Sequence, residues 1–137
     1  MNDTLKLASK GWVKIWGIDS KGNRQLLVDK KNAIQANSRN IVAKLLAGAT
    51  IAAPDRISVY NSGVLVSHHT TFSKSSPTTD VVIFEARFDE ASFAGSFDEL
   101  RLVSIAYGQF STLTGITGSK SNLVQLQVEW KITINAI

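Results

Sequence analysis

The stretch NLVQLQVEWKITI (122–134) near the end of the chain alternates without a break from Val124 onward. Val124, Leu126, Val128, Trp130, Ile132 and Ile134 are apolar, and Gln125, Gln127, Glu129, Lys131 and Thr133 between them are polar or charged. A two-residue period places the two sets on opposite faces of a strand that spans roughly 35 Å, about twice the usual length. The apolar set predicts a core-lining strand. Burying each such side chain is worth about 1.5–3 kcal/mol before conformational entropy is subtracted, so the domain should not fold without it. The strand's excess length predicts that its end, near Ile134 to Ile137, reaches a neighbouring subunit.

Most of the remaining pattern is also β. GWVKIWGID (11–19) and RQLLVDKK (24–31) read as a first hairpin, turned at SKGN with Gly22 available for positive φ. The period changes in NAIQANSRNIVAKLLAG (32–48), where Ile41 with Leu45 and Val42 with Leu46 are i,i+4 pairs. Asn37 or Ser38 is placed to cap that helix and Gly48 to end it. RISVY (56–60) and VLVSHH (64–69) predict a second hairpin about Asn61-Ser62-Gly63, followed by a Ser/Thr-rich surface loop, TTFSKSSPTTD (70–80). VVIFEARFDE (81–90) presents Val82, Phe84, Ala86 and Phe88 on one face, ELRLVSIAYG (99–108) is a further strand, and STLTGITGSKS (111–121) reads as a flexible connection. Six to eight strands, one helix and no internal repeat or linker predict a single domain over 1–137. Its class is mainly β: an antiparallel β-sandwich, jelly-roll-like or immunoglobulin-like, with one short α-helix.

Composition narrows the chemistry. The 137 residues are enough for one self-sufficient core, and the absence of cysteine excludes disulfides and thiolate metal sites. The first residues, MNDTLKLASKGW, lack the pattern of a signal or transit peptide, and the most apolar window, LLAGATIAA (45–53), is far too short to span a membrane. Asn2-Asp3-Thr4 is formally a glycosylation sequon, read as accidental without a secretory route. The net charge of +4 divides into +6 over residues 1–50 and −2 over residues 51–137. Such a split suits copies of one protein meeting basic face to acidic face, a basic surface for nucleic acid, or solvated strand faces.

No constellation reads as an active site. His68 and His69 are adjacent on a strand and point to opposite faces, so they cannot chelate one metal. AGSFD (94–98) is not a nucleophile elbow, Asp19-Ser20-Lys21-Gly22-Asn23 lacks the closing ligand of a calcium loop, and Gly115 and Gly118 do not make a phosphate loop. Asp89-Glu90 and Asp98-Glu99 flank ASFAGSF, which offers one alternative, a divalent-ion or acid/base site. The expectation is no catalytic residue, no cofactor and no metal. KGWVKIWG (10–17) is the strongest competing signal: Trp12, Lys14 and Trp16 share one strand face, as in the first strand of a cold-shock domain, and Lys10 stands beside them. After Lys21-Gly22, however, Asn23, Arg24, Gln25 and Leu26 supply none of that family's further aromatics. The tryptophans are therefore expected in the core or a subunit interface, with an OB-like single-stranded nucleic-acid binder as the alternative.

From Lys31 on, the chain reads Lys31-Asn32-x-Ile34 before NIVAKLLAG, then ISVYNSG, FEARF, Gly-x-Phe-x-Glu-Leu (95–100) and V-x-W-x-I-x-I (128–134). In this series it resembles small virion structural proteins of tailed bacteriophages. Arg101 stands where that family tends to have Gly. The resemblance implies a non-enzymatic subunit of the virion, assembled in the host cytoplasm without a membrane step. It implies a homo-oligomeric decoration protein bound to the major capsid protein, or alternatively a tail, connector or fibre-attachment subunit. Trp12, Lys14, Trp16, Arg101, Ile134 and Ile137 are the candidate contact residues.

Overall fold

The computed structural model describes residues 7–70 and 73–136. The elements follow as β1 (Leu7–Ile18), β2 (Arg24–Ile34), α1 (Ser38–Leu46), a 3-10 turn (Thr50–Ala52), β3 (Arg56–Asn61), β4 (Val64–Thr70), β5 (Ser73–Thr78), β6 (Val81–Phe88), β7 (Gly95–Phe97), β8 (Glu99–Ser104), β9 (Gly108–Leu113), β10 (Gly118–Lys120) and β11 (Gln125–Ala136). Nine strands form one antiparallel sheet in the order β4-β3-β8-β9-β2-β1-β11-β6-β5, and β7 pairs with β10. The chain is mainly β with one short helix, as the alternation predicts, and its two layers are the halves of a single curled, half-barrel sheet.

The curl has a local cause in β2, which belongs to both halves. Up to Asn32 it pairs with β1, and from Ala33 it pairs with β9. Asn32 stands opposite Gly11, where any side chain would overlap its carboxamide. The Asn32 amide donates to the Ser111 hydroxyl. That hydroxyl also accepts the Trp130 indole N–H at 3.2 Å and donates to the Ala33 carbonyl at 2.9 Å. A polar knot thus ties β2, β9 and β11 where the sheet turns its corner; the Ser111 hydroxyl is fully used, while the Asn32 carboxamide oxygen is buried without a partner among the described residues.

Around the knot the core fills from both halves. Val13 and Ile15 of β1, Leu126, Val128, Trp130 and Ile132 of β11, and Phe84, Ala86 and Phe88 of β6 are buried with Ile57, Val59, Leu100, Leu102 and Leu113 of the other half. The even-numbered face of the last strand is therefore core, with Ile134 half-buried against its rim. Ile41 is the one fully buried residue of α1. Asn37 starts that helix without a side-chain cap; its amide instead donates to the carbonyls of Tyr107 and Gln109 at 2.8 and 3.0 Å, fastening the helix to β9. Gly48 leaves the helix at φ +94°.

At one flank of the core, Phe88, Phe93 and Phe97 stack edge to face with centroids 5.9 and 6.2 Å apart. Lys120 closes this flank. It is only 3% exposed, and its ammonium donates to the carbonyls of Glu90, Phe93 and Ser121 at 3.0, 2.8 and 3.1 Å. All three of its donors are used.

Two sequence expectations are corrected. Residues 70–80 contain strand β5 rather than only a loop, because the outer side of β6 offers a ladder that Ser and Thr backbones can join at an edge. Residues 111–121 are likewise not a flexible connection: β9 runs to Leu113 and β10 occupies 118–120. Ser111 and Thr112 are buried there because their hydroxyls are hydrogen-bonded, Thr112 accepting from the Gln35 amide at 3.0 Å.

The β1–β2 turn carries a pH-dependent element. The Asp19 carboxylate accepts the backbone N–H of Asn23 (2.9 Å), the Asn23 amide (3.1 Å) and the backbone N–H of Lys21 (2.9 Å). These bonds, Asn23 first, hold its pKa below the usual 3.8. A carboxylate depressed on folding contributes stability fully above its unfolded pKa and loses it as the pH falls through the folded value. Wild type should therefore exceed Asp19→Ala in thermal stability at pH 6, and the gap should close toward pH 2 in calorimetric scans.

Candidate interaction faces

The outer surface of β2, β1 and β11 is one candidate. Trp12, Lys14 and Trp16 do share a face, and it points away from the core, so of the two places expected for these tryptophans, core or subunit interface, the core is corrected. Val13, Ile15 and the small Gly11 and Gly17 occupy the inner side of β1. Trp12 is 40% exposed and its indole N–H donates to the Asp29 carboxylate. Trp16 is half-buried, with the Arg24 guanidinium 4.7 Å from its ring centroid. A shallow depression of about 380 Å³ lies among Trp12, Lys14, Asp29, Glu129 and Lys131. Along β6 the face continues as Gln127 donating to Glu85 and accepting from Arg87, both at 3.0 Å.

A second candidate is the pair of strands that end the sheet among the described residues, β4 and β5. They are consecutive in sequence, Thr70 ending one and Ser73 starting the other. There His69 meets Phe88 edge to face, with centroids 6.0 Å apart. The edges differ in chemistry. Both edges carry a bulge, but β5 also carries Lys74 and Pro77, features that deter a further strand. β4, VLVSHHT, has no Asp, Glu, Lys, Arg or Pro. Its two-residue turn has Ser62 at φ +50° and Gly63 at φ +78°, the type I′ geometry that sets Asn61 and Val64 as a hydrogen-bonded pair. Leu65, next along and opposite Tyr60, then directs its backbone N–H and C=O outward. Val64 and Leu65 are 67% and 48% exposed.

The remaining predicted residues are dispersed. Arg101 lies in β8, paired with Glu99 at 2.5 Å and stacked over Tyr60 at 3.8 Å, and these acidic and aromatic neighbours, Glu99 first, raise its pKa. Ile137 lies outside the described residues. The acidic pairs do not converge. The Asp89 carboxylate accepts the Ala91 N–H at 3.0 Å, Glu90 accepts from Gln125 at 3.1 Å, and Asp98 accepts the Ser62 N–H at 3.1 Å. Among the described residues no three His, Asp or Glu side chains gather as a metal site, and no helix is long and apolar enough to cross a membrane. Sequence reasoning missed the open edge of β4, although the absence of charge and proline in VLVSHHT is its signal. It also missed Lys120, which nothing in its local sequence distinguishes.

No protein-family model matches the chain, and neither a curated protein nor a solved structure matches it.

Proposed function

We propose that the chain is a non-enzymatic assembly subunit that joins copies of itself through β4. The observation that carries this is the asymmetry of the edges: β5 is guarded by Lys74 and Pro77, and β4 is not. Antiparallel pairing of two β4 strands about Ser67 sets Val64 and Leu65 of one copy against Thr70 and His69 of the other. It covers the exposed apolar pair and brings no Asp, Glu, Lys or Arg of β4 against its own copy. The sequence resemblance to tailed-phage virion proteins supports placing this subunit on a virus particle, as a capsid decoration protein or, alternatively, in the tail or connector.

Light scattering tests the association. Wild type should show a mass above that of the 14.9 kDa chain, falling to the monomer in Leu65→Lys with an unchanged circular dichroism spectrum. A wild-type monomer without affinity for phage heads or tails would overturn the proposal. Labelling within purified particles separates head from tail.

A further inference from the structure

We infer that the outer face around Trp12 binds single-stranded nucleic acid, with Trp12 as the base-stacking platform and Lys10, Lys31 and Lys131 as its phosphate contacts. The inference does not depend on the β4 edge.

Strand register assembles this site from three strands. Lys31 of β2 and Lys131 of β11 stand directly opposite Trp12 on either side. Lys10 precedes Trp12 by two residues and so shares its face. With strands about 4.8 Å apart, the flanking lysines lie roughly 10 Å apart across the indole. All three lysines are exposed. Their row differs from the next, where Asp29 and Glu129 stand on either side of Lys14 and exceed it by one negative charge. The only ion pair among the described residues is Glu99–Arg101, on the other half of the sheet, so the cations around Trp12 are not neutralised by contact.

The indole is presented in a fixed pose. Its N–H is held by Asp29 and the ring borders the depression shared with Lys131 and Glu129. Trp16, which looks equivalent in sequence, differs: Arg24 already lies against its ring. The two tryptophans are thus separated into a platform and a covered ring. An acidic protein segment would gain from the lysines but nothing from the ring between them. A single strand alternates flat bases with phosphates, as this face alternates a ring with cations.

The test is anisotropy titration of a fluorescein-labelled oligothymidylate at about 50 mM salt, with Kd followed to higher salt. Trp12→Ala should weaken binding about tenfold or more, Trp12→Phe less, and Trp16→Ala little. In Lys31→Gln/Lys131→Gln the slope of log K against log salt should shrink by about 1.4, at about 0.7 per phosphate contact on a single strand. Matching thermal unfolding of the variants keeps folding out of the comparison. Absent binding, an unchanged Trp12→Ala, or a larger loss in Trp16→Ala would overturn the assignment. Equal competition by polyglutamate would overturn it in favour of an acidic protein partner.

Discussion

Gly11→Ala should be among the most destabilising single-methyl additions in this chain, costing about 2–6 kcal/mol: overpacking accounts for about 1–3 and buried hydrogen bonds left unmade for a similar amount. The new methyl falls on the Asn32 carboxamide, which cannot swing away without leaving Ser111. Ser111 in turn holds the Trp130 indole and the Ala33 carbonyl, so the insult reaches three strands at once. Against a typical stability of about 5–15 kcal/mol the loss is large. Urea denaturation checks it through the midpoint. The double variant Gly11→Ala/Asn32→Ala should lose less than the sum of the singles, since removing the carboxamide makes room for the methyl. Strict additivity would mean that the corner is not built on this contact.

Lys120→Met should cost on the order of 3 kcal/mol or more, although it exchanges a buried charge for an apolar chain of similar length. The reason is what remains: the carbonyls of Glu90, Phe93 and Ser121 lose their shared donor, and each charge-assisted bond is worth about 1.5–3 kcal/mol. Because Lys120 holds the 89–93 segment over Phe88 and Phe97, near-UV circular dichroism should weaken along with the denaturation midpoint. The pH dependence has a definite sign. Burial pushes the Lys120 pKa below 10.5, opposed in part by Asp89 and Glu90. Over the window between that lowered value and 10.5 the unfolded chain binds more protons, so this residue's contribution to stability rises with pH. Lys120→Met should lack that rise.

Both effects arise at positions the sequence does not advertise, and the reason is physical. Alternation in 122–134 is a local property, and it located the core strand correctly because a strand's two faces are decided by residue parity. The hairpins about Gly22 and Gly63 were legible for a similar reason: each turn needs a positive φ that the local residues supply. Strand β9 was hidden because Ser111 and Thr112 are polar yet buried, and their partners, Ala33 and Gln35, lie far away in sequence. β5 was hidden because an edge strand with a polar sequence has only one neighbour to satisfy.

The candidate surfaces divide in the same way. That Trp12, Lys14 and Trp16 share a face followed from parity, but which side of the sheet they occupy depends on the curl set at Asn32. The encirclement of Trp12 by Lys31 and Lys131 depends on register across three strands, which a single sequence does not display. The carboxylates of Asp89, Glu90 and Asp98 looked paired in sequence and are consumed separately, by a turn, a glutamine and the β3–β4 hairpin.

Amide hydrogen exchange at two protein concentrations tests the assembly role most directly. If β4 is the joining edge, the outward Leu65 amide should exchange quickly in dilute protein and become protected as concentration rises, while the guarded β5 edge stays unchanged. Exchange at Leu65 that is independent of concentration, or new protection appearing at β5 instead, would contradict it.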